Sequence, residues 1–149
     1  MTRRKMTGLV AASLMMALVT VGQGFKIYPG AKKYTPPDTE ETREAAKSMP
    51  PGTVSTIYLS DDAYEKVSAF YKGIGKEYEV PGMRQGAKLP SGQEVKQAFY
   101  IFDGAGDLMT SKSWAKVQRP FVGSFTMKDG VPEFNDVRDV TAVVVVEKK

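Results

Sequence analysis

Alternating and helix-spaced hydrophobic positions divide the chain from residue 53 onward into strands and one main helix. Residues 53–60 alternate between apolar and polar side chains, as a half-buried strand does. Residues 62–73 place apolar side chains three and four positions apart, which predicts an amphipathic helix. This order of elements predicts an α+β fold, a mostly antiparallel sheet of about five strands with the main helix packed on one face. The further predicted strands are 76–80, 94–102, 113–123 and 139–147.

A second, shorter helix is predicted over residues 39–48. Asp38 stands three residues before Glu41, which is the spacing of a capping box. Acidic residues at its start and basic residues after them suit the helix dipole, and a Pro-Pro-Gly sequence ends it. Its apolar side is thin, so we expect this helix to lie on the surface.

The last predicted strand is apolar on both of its sides, which is typical of a central strand covered on both faces of a sheet. The main helix covers only one face. The other face therefore needs the 39–48 helix, the 80–92 loop, or a second subunit in a homodimer. One side of the strand carries Val140, Ala142, Val144 and Val146, and the other carries Val143 and Val145.

The N-terminal residues follow the order of a secretory signal peptide. Three basic residues at positions 3–5 precede an uncharged run of 15 residues, 8–22, and small residues follow. The run is shorter than the roughly 20 residues that a membrane-spanning helix needs, so a retained anchor is the weaker alternative. We predict cleavage after Gly24, with Gly22 as the alternative, and a periplasmic or secreted mature chain.

The predicted organisation is a signal peptide over 1–24, an N-terminal extension with the short helix over 25–52, and a single domain over 53–149. The chain of 149 residues suits one domain, because two small domains would bury too little surface. Its net charge is +4, but three of the 21 basic residues lie in the predicted signal, which leaves 18 against 17 acidic residues. No basic cluster remains that could follow a phosphate backbone, so we expect no nucleic-acid partner.

The sequence contains neither cysteine nor histidine. Disulfides, thiol nucleophiles and triads with an imidazole base are therefore excluded. Zinc sites draw mostly on these two residue types, and haem and iron–sulfur ligation also depend on them. We expect no cofactor, and the sequence favours a protein that is not an enzyme.

A few polar residues remain as candidates for catalysis or metal binding. Asp103 and Asp107, with glycines between them, partly match a calcium loop, but the later acidic ligands are missing and a hairpin turn is the simpler interpretation. Paired carboxylates serve glycoside hydrolysis, and an adjacent serine and lysine leave a hydrolase open as an alternative. These candidates are Asp61/Asp62, Glu77/Glu79 and Ser111/Lys112.

The stretch "SWAKVQRPF" holds the candidate binding residues Trp114, Lys116 and Arg119. In a strand, Trp114 and Lys116 share one face with Gln118, and Arg119 lies on the other face. Tryptophan and arginine often anchor interfaces, which favours a surface for a ligand or partner. The alternative is that Trp114 is part of the core and Arg119 extends along the rim of the sheet.

Three segments resemble small exported bacterial domains of unknown function. The resemblance is seen at "IYPGAKKY", "STIYLSDDAYEKVSAFYKGIG" and "WAKVQRPF", and the matching positions are 28–31, 56–62, and Val67 with "FY" at 70–71. The resemblance covers about two thirds of the mature chain, implies export and an α+β fold, and supplies no catalytic residues. We therefore predict an exported, soluble, non-enzymatic domain of the cell envelope that binds a protein partner or small ligand. A hydrolase and a structural subunit of an envelope assembly are the alternatives.

Overall fold

Six antiparallel strands form the main sheet, and their order in the sheet differs from their order in the chain. The computed structural model describes residues 24–83 and 86–149. In chain order the elements are β1 (Lys32–Tyr34), α1 (Glu40–Lys47), β2 (Thr53–Ser60), α2 (Tyr64–Lys72), β3 (Lys76–Tyr78), β4 (Lys96–Ile101), β5 (Ser113–Arg119), β6 (Phe121–Val122), β7 (Phe125–Lys128), β8 (Val131–Phe134), β9 (Val137–Arg138) and β10 (Thr141–Lys148). The order of strands in the main sheet is β1-β2-β10-β5-β4-β3.

The predicted α+β class with a mostly antiparallel sheet is confirmed, but the main sheet has six strands instead of about five. The additional strand is β1, which pairs with β2 through Lys32–Leu59 and Tyr34–Ile57. A strand of three residues is too short to show a clear alternation in the sequence. β10 lies inside the sheet, between β2 and β5, where a strand with two apolar sides belongs.

The main hydrophobic core lies on the side of the sheet that faces α2. Val67 and Tyr71 of this helix are fully buried and belong to one cluster with residues of β4, β5 and β10. Each buried apolar side chain of this kind contributes roughly 1.5–3 kcal/mol to folding. The buried members of the cluster are Tyr28, Val67, Tyr71, Tyr100, Phe102, Ala115, Val117, Val143 and Val145.

Residues 25–34 are part of this fold, although the sequence assigns them to an extension. The ring of Phe25 is stacked on that of Tyr71, with 5.7 Å between centroids, and its centroid lies 5.8 Å from that of Phe102. The Tyr71 hydroxyl donates to the Lys26 carbonyl at 2.9 Å and accepts from the Tyr28 N–H at 3.0 Å. Residues 25–28 are thereby fixed to α2.

The cap of α1 differs from the predicted one by one position. Thr39 is the N-cap; its side chain accepts from the Thr42 N–H at 3.2 Å, and its own N–H donates to Thr42 Oγ1 at 3.0 Å. The predicted capping box of Asp38 and Glu41 is therefore wrong. The hydroxyls of Thr39 and Thr42 instead accept from the two backbone N–H groups that a capping box satisfies.

Pro120 divides the strand that the sequence predicts over 113–123. Proline has no N–H to donate to a ladder, so β5 ends at Arg119 and β6 belongs to a separate two-stranded sheet with β9. β7 and β8 form a further hairpin, in a segment for which no strand was predicted. Its turn is Asp129-Gly130, both with positive φ, at 52° and 77°. This dipeptide is a strong hairpin signal that the sequence did contain.

The predicted signal peptide, residues 1–24, lies outside the described residues apart from Gly24. Its cleavage and the export of the chain stay predictions. Within residues 24–83 and 86–149, no helix combines the length and the hydrophobicity needed to cross a membrane.

Candidate functional site

Trp114 and Lys116 lie on the face of the main sheet that points away from α2, here called the distal face. Residues directly opposite each other in antiparallel strands share a face, so the register defines its members. They are the even-numbered residues of β1, β3, β5 and β10 and the odd-numbered residues of β2 and β4. Lys116 lies near the middle, opposite Val144 in β10 and Phe99 in β4.

The centre of the distal face is made of apolar side chains that stay partly exposed. Val144 and Phe99 beside Lys116 are both only partly buried. The short helix α1 has no buried residue, and α2 packs on the opposite face of the sheet. The β6–β9 ribbon covers one corner, where the rings of Phe121 and Tyr34 lie 4.8 Å apart. The face therefore offers an apolar surface that the described helices leave open.

All charged strand residues of the distal face are lysines. By the register of the main sheet they are Lys32, Lys76, Lys116 and Lys148. The two acidic residues of these strands, Glu77 and Glu147, occupy positions on the opposite face. Asp136 approaches the covered corner from the ribbon, where it is paired with Arg138 at 3.0 Å. The strands thus give this face a single sign of charge.

Lys116 is a partly buried ammonium group among apolar neighbours. Burial lowers its pKa from the ordinary 10.5, and no nearby carboxylate counters that effect. Removing an ammonium group from water is unfavourable unless a hydrogen-bonded anion compensates it. Among the described residues, the Lys116 ammonium has no such anion. This makes it the residue of the face that is most in need of an external partner.

Trp114 is less available than Lys116 for contacts with another molecule. It lies opposite Val146 and Ile101, both buried, and its ring centroid is 6.0 Å from that of Phe99. The indole Nε1 is buried and has no hydrogen-bond partner among the described residues. Leaving such a donor unpaired costs roughly 1–3 kcal/mol. Trp114 therefore contributes apolar surface at one end of the distal face, not an exposed polar anchor.

Arg119 is not brought together with Trp114 and Lys116, because it lies on the other face at the end of β5. Its guanidinium donates to the Asp62 carbonyl at 3.1 Å and to Thr141 Oγ1 at 3.1 Å. It also binds Asp139, through the carboxylate at 3.1 Å and the carbonyl at 2.9 Å. These bonds tie the β2–α2 loop to the start of β10, which gives Arg119 a structural role.

Asp103 and Asp107 hold a loop together instead of facing a common ligand site. Asp103 accepts from the Lys112 N–H at 2.6 Å and from Ser111 Oγ at 2.9 Å, and Asp107 accepts from the Thr110 N–H at 2.8 Å. Burial raises the pKa of Asp103, but these hydrogen bonds outweigh it and the pKa is lowered overall. No group of three metal-ligating side chains occurs within the described residues.

Ser111 does not have the geometry of a nucleophile. It is fully buried, and its hydroxyl is bound to Asp103 and the Ser113 carbonyl, while Lys112 is exposed.

Asp62, from the first acidic pair, accepts from the Tyr28 hydroxyl at 2.6 Å, and this bond is the main cause of its lowered pKa. A lowered pKa is the opposite of what a carboxylic general acid needs.

A charged cleft of about 440 Å³ lies beside the start of α2. Two ion pairs line it, Lys96–Glu65 at 2.7 Å and Arg119–Asp139 at 3.1 Å. The hydrogen bond from Lys96 lowers the pKa of Glu65. Asp61 and Glu94 also border the cleft, outside these two pairs. Because Glu65, Lys96, Arg119 and Asp139 are paired with one another, these four side chains form a structural network.

A more apolar groove of about 710 Å³ lies between the end of the 80–92 loop and the β7–β8 hairpin. Leu89 and Pro90 line one side, and Val131, Phe134 and Val137 line the other. The 80–92 loop, predicted as a binding element, therefore borders a groove that is separate from the distal face. Lysine and glutamate both border it, through Lys128 and Glu133, so its charge favours no particular ligand.

The chain matches no protein-family model, no curated protein and no solved structure.

Proposed function

We propose that this chain is an exported, non-enzymatic domain of the cell envelope that binds a protein partner through the distal face. The observation that carries this proposal is an open apolar sheet face with Lys116 near its middle. Interface centres are apolar and rich in aromatic residues, so an exposed apolar sheet face is a candidate binding surface. Only the distal face is available for binding in this proposal, because α2 packs on the other face of the sheet.

Export is supported by the order of the N-terminal residues and by the resemblance to exported bacterial domains. The sequence has basic residues at 3–5, an uncharged run over 8–22 and glycines at the proposed cleavage positions. Cleavage after Gly24 leaves Phe25 as the first residue, and its ring packs against Tyr58, Tyr71 and Phe102. A mature chain that begins there keeps all of these core contacts.

The shape of the distal face favours a protein over a small ligand. Small-molecule sites are concave and enclose most of their ligand, whereas protein interfaces spread over flat surfaces. Neither Trp114 nor Lys116 lines the charged cleft beside α2 or the groove between the 80–92 loop and the β7–β8 hairpin. The hydrolase alternative has weaker support, since Ser111 is buried and the shifted carboxyl pKa values are lowered.

Site-specific crosslinking in the exporting cell tests this function. A photo-reactive amino acid replaces Val144 on the distal face, or Ala45 on the exposed side of α1 as the control. We expect a mature chain that begins at Phe25, an adduct of defined mass from position 144 and none from position 45. Equal adducts from both positions, or none from position 144, would contradict binding through the distal face, and an uncleaved chain would contradict export.

A further inference from the structure

We infer that the partner of the distal face presents an acidic protein surface, with a carboxylate that reaches Lys116 between Val144 and Phe99. This inference rests on the proposed function, because it specifies the chemistry of the partner on that same face. The occupant is a different protein and not a second copy of this chain.

Charge is distributed unequally over the two faces of the sheet. The distal face carries only lysines at its charged strand positions, and the two strand glutamates lie on the opposite face. Lys32 and Lys76 lie on opposite edge strands, β1 and β3, so they flank the apolar centre at both sides. Interfaces pair patches of opposite charge, and this arrangement therefore fits an acidic surface.

Lys116 has no ion-pair or hydrogen-bond partner among the described residues. Its neighbours across the ladder are Val144 and Phe99, neither of which can accept a hydrogen bond with its side chain. A carboxylate from outside would form an ion pair that the apolar surroundings shield from water. Such a pair is stronger than an exposed one, and removing one partner from it is costly because the remaining charge is then buried alone.

A symmetric dimer through the same surface does not fit this distribution of charge. In a two-fold dimer the same patch occurs on both sides of the interface. Two distal faces would place lysines against lysines, and the strand positions would provide no carboxylate to either copy. Two acids near the face already interact with basic residues of their own chain: Asp136 pairs with Arg138 at 3.0 Å, and Asp107 interacts with Lys148. Like charges in an interface are destabilising, so the second subunit considered from the sequence does not suit this face.

Charge reversal at the edges of the face tests the inference without disturbing its apolar centre. The full chain, exported by its own signal and carrying the photo-reactive residue at position 144, is compared with a Lys32→Glu/Lys76→Glu variant and a Lys32→Arg/Lys76→Arg control. Crosslinking is measured in isolated envelopes at low and high salt. We expect the Glu variant to lose about fivefold in adduct yield, the Arg control to keep the yield, and salt to reduce it.

The outcomes separate this inference from the proposed function. An adduct whose yield is unaffected by charge reversal and by salt would leave a partner-binding face but overturn the acidic partner. An adduct with twice the mass of the mature chain would identify a second copy and also overturn it. No adduct at position 144 in any variant would remove the binding function itself.

Discussion

Lys116 and Arg119 lie three positions apart in β5 and have opposite surroundings. The Arg119 guanidinium has acceptors from three other residues, whereas the Lys116 ammonium has only apolar neighbours across the ladder. The sequence shows that their side chains point to opposite faces, because strand positions alternate. It does not show which face is covered by the helix, and that cover decides which of the two residues is structural.

Replacing Arg119 by alanine should lower the free energy of unfolding by about 2–3 kcal/mol, because the bonds from its charged group to Asp62, Thr141 and Asp139 are lost. Arg119→Lys should recover only part of this, since one ammonium cannot reach all of these acceptors in the same geometry. Urea unfolding measures the change. The control Lys96→Ala removes an exposed pair and should cost no more than about 1 kcal/mol. A similar loss in both alanine variants would contradict the structural role of Arg119.

Replacing Lys116 by methionine should raise the free energy of unfolding at neutral pH by about 1 kcal/mol, because a desolvated charge gives way to an apolar chain of similar volume. The folded-state pKa of Lys116 lies below the ordinary 10.5, so the unfolded chain binds its proton more tightly. The advantage of the variant should be complete below the folded-state pKa and disappear as pH rises toward 10.5. Urea unfolding over this pH range, with Lys76→Met as the exposed control, measures it. A destabilised Lys116→Met variant would show that the ammonium already has a favourable partner within the chain.

At the scale of elements, the N-terminal segment and α2 are joined by one tyrosine hydroxyl. Tyr71 OH bonds the backbone of both Lys26 and Tyr28, while the Tyr28 side chain donates to Asp62 just before α2. These contacts explain why residues 25–34 are not a separate extension. They connect backbone groups to a distant side chain, and neither hydrophobic periodicity nor spacing in the sequence reveals such a contact.

The change Tyr71→Phe should lower the free energy of unfolding by about 1–3 kcal/mol, because the Lys26 carbonyl and the Tyr28 N–H both lose their partner. Thermal unfolding followed by circular dichroism measures the loss. Tyr78→Phe removes a hydroxyl from a partly exposed position on the distal face and should change stability by no more than about 0.5 kcal/mol. Equal stability of the two variants would mean that the N-terminal segment is not anchored through Tyr71.

For the molecule as a whole, the sequence predicts the class of fold better than the bounds and the pairing of the individual strands. The apolar character of both sides of residues 139–147 correctly predicts an interior strand, which the structure shows as β10. The pairing of β1 depends on contacts between distant segments, which the sequence does not show. The division at Pro120 follows from a local property of proline that the predicted strand over 113–123 did not take into account. The candidate site was also predicted only in part. The alternation of a strand places Trp114 and Lys116 on one face, but the strand order is needed to add the lysines of β1, β3 and β10 to that face.

The most direct measurement is lysine labelling of the full chain, produced with its own N-terminal residues and quantified by mass spectrometry in the intact cell envelope and after purification. Lys32 and Lys116 belong to the distal face, and Lys33, which is exposed and points the other way from β1, is the matched control. If an acidic partner covers the distal face, labelling of Lys32 and Lys116 should fall severalfold in the envelope while labelling of Lys33 stays unchanged. If Lys32 and Lys116 are each labelled to the same extent in the envelope as after purification, this would contradict a role of the distal face in binding.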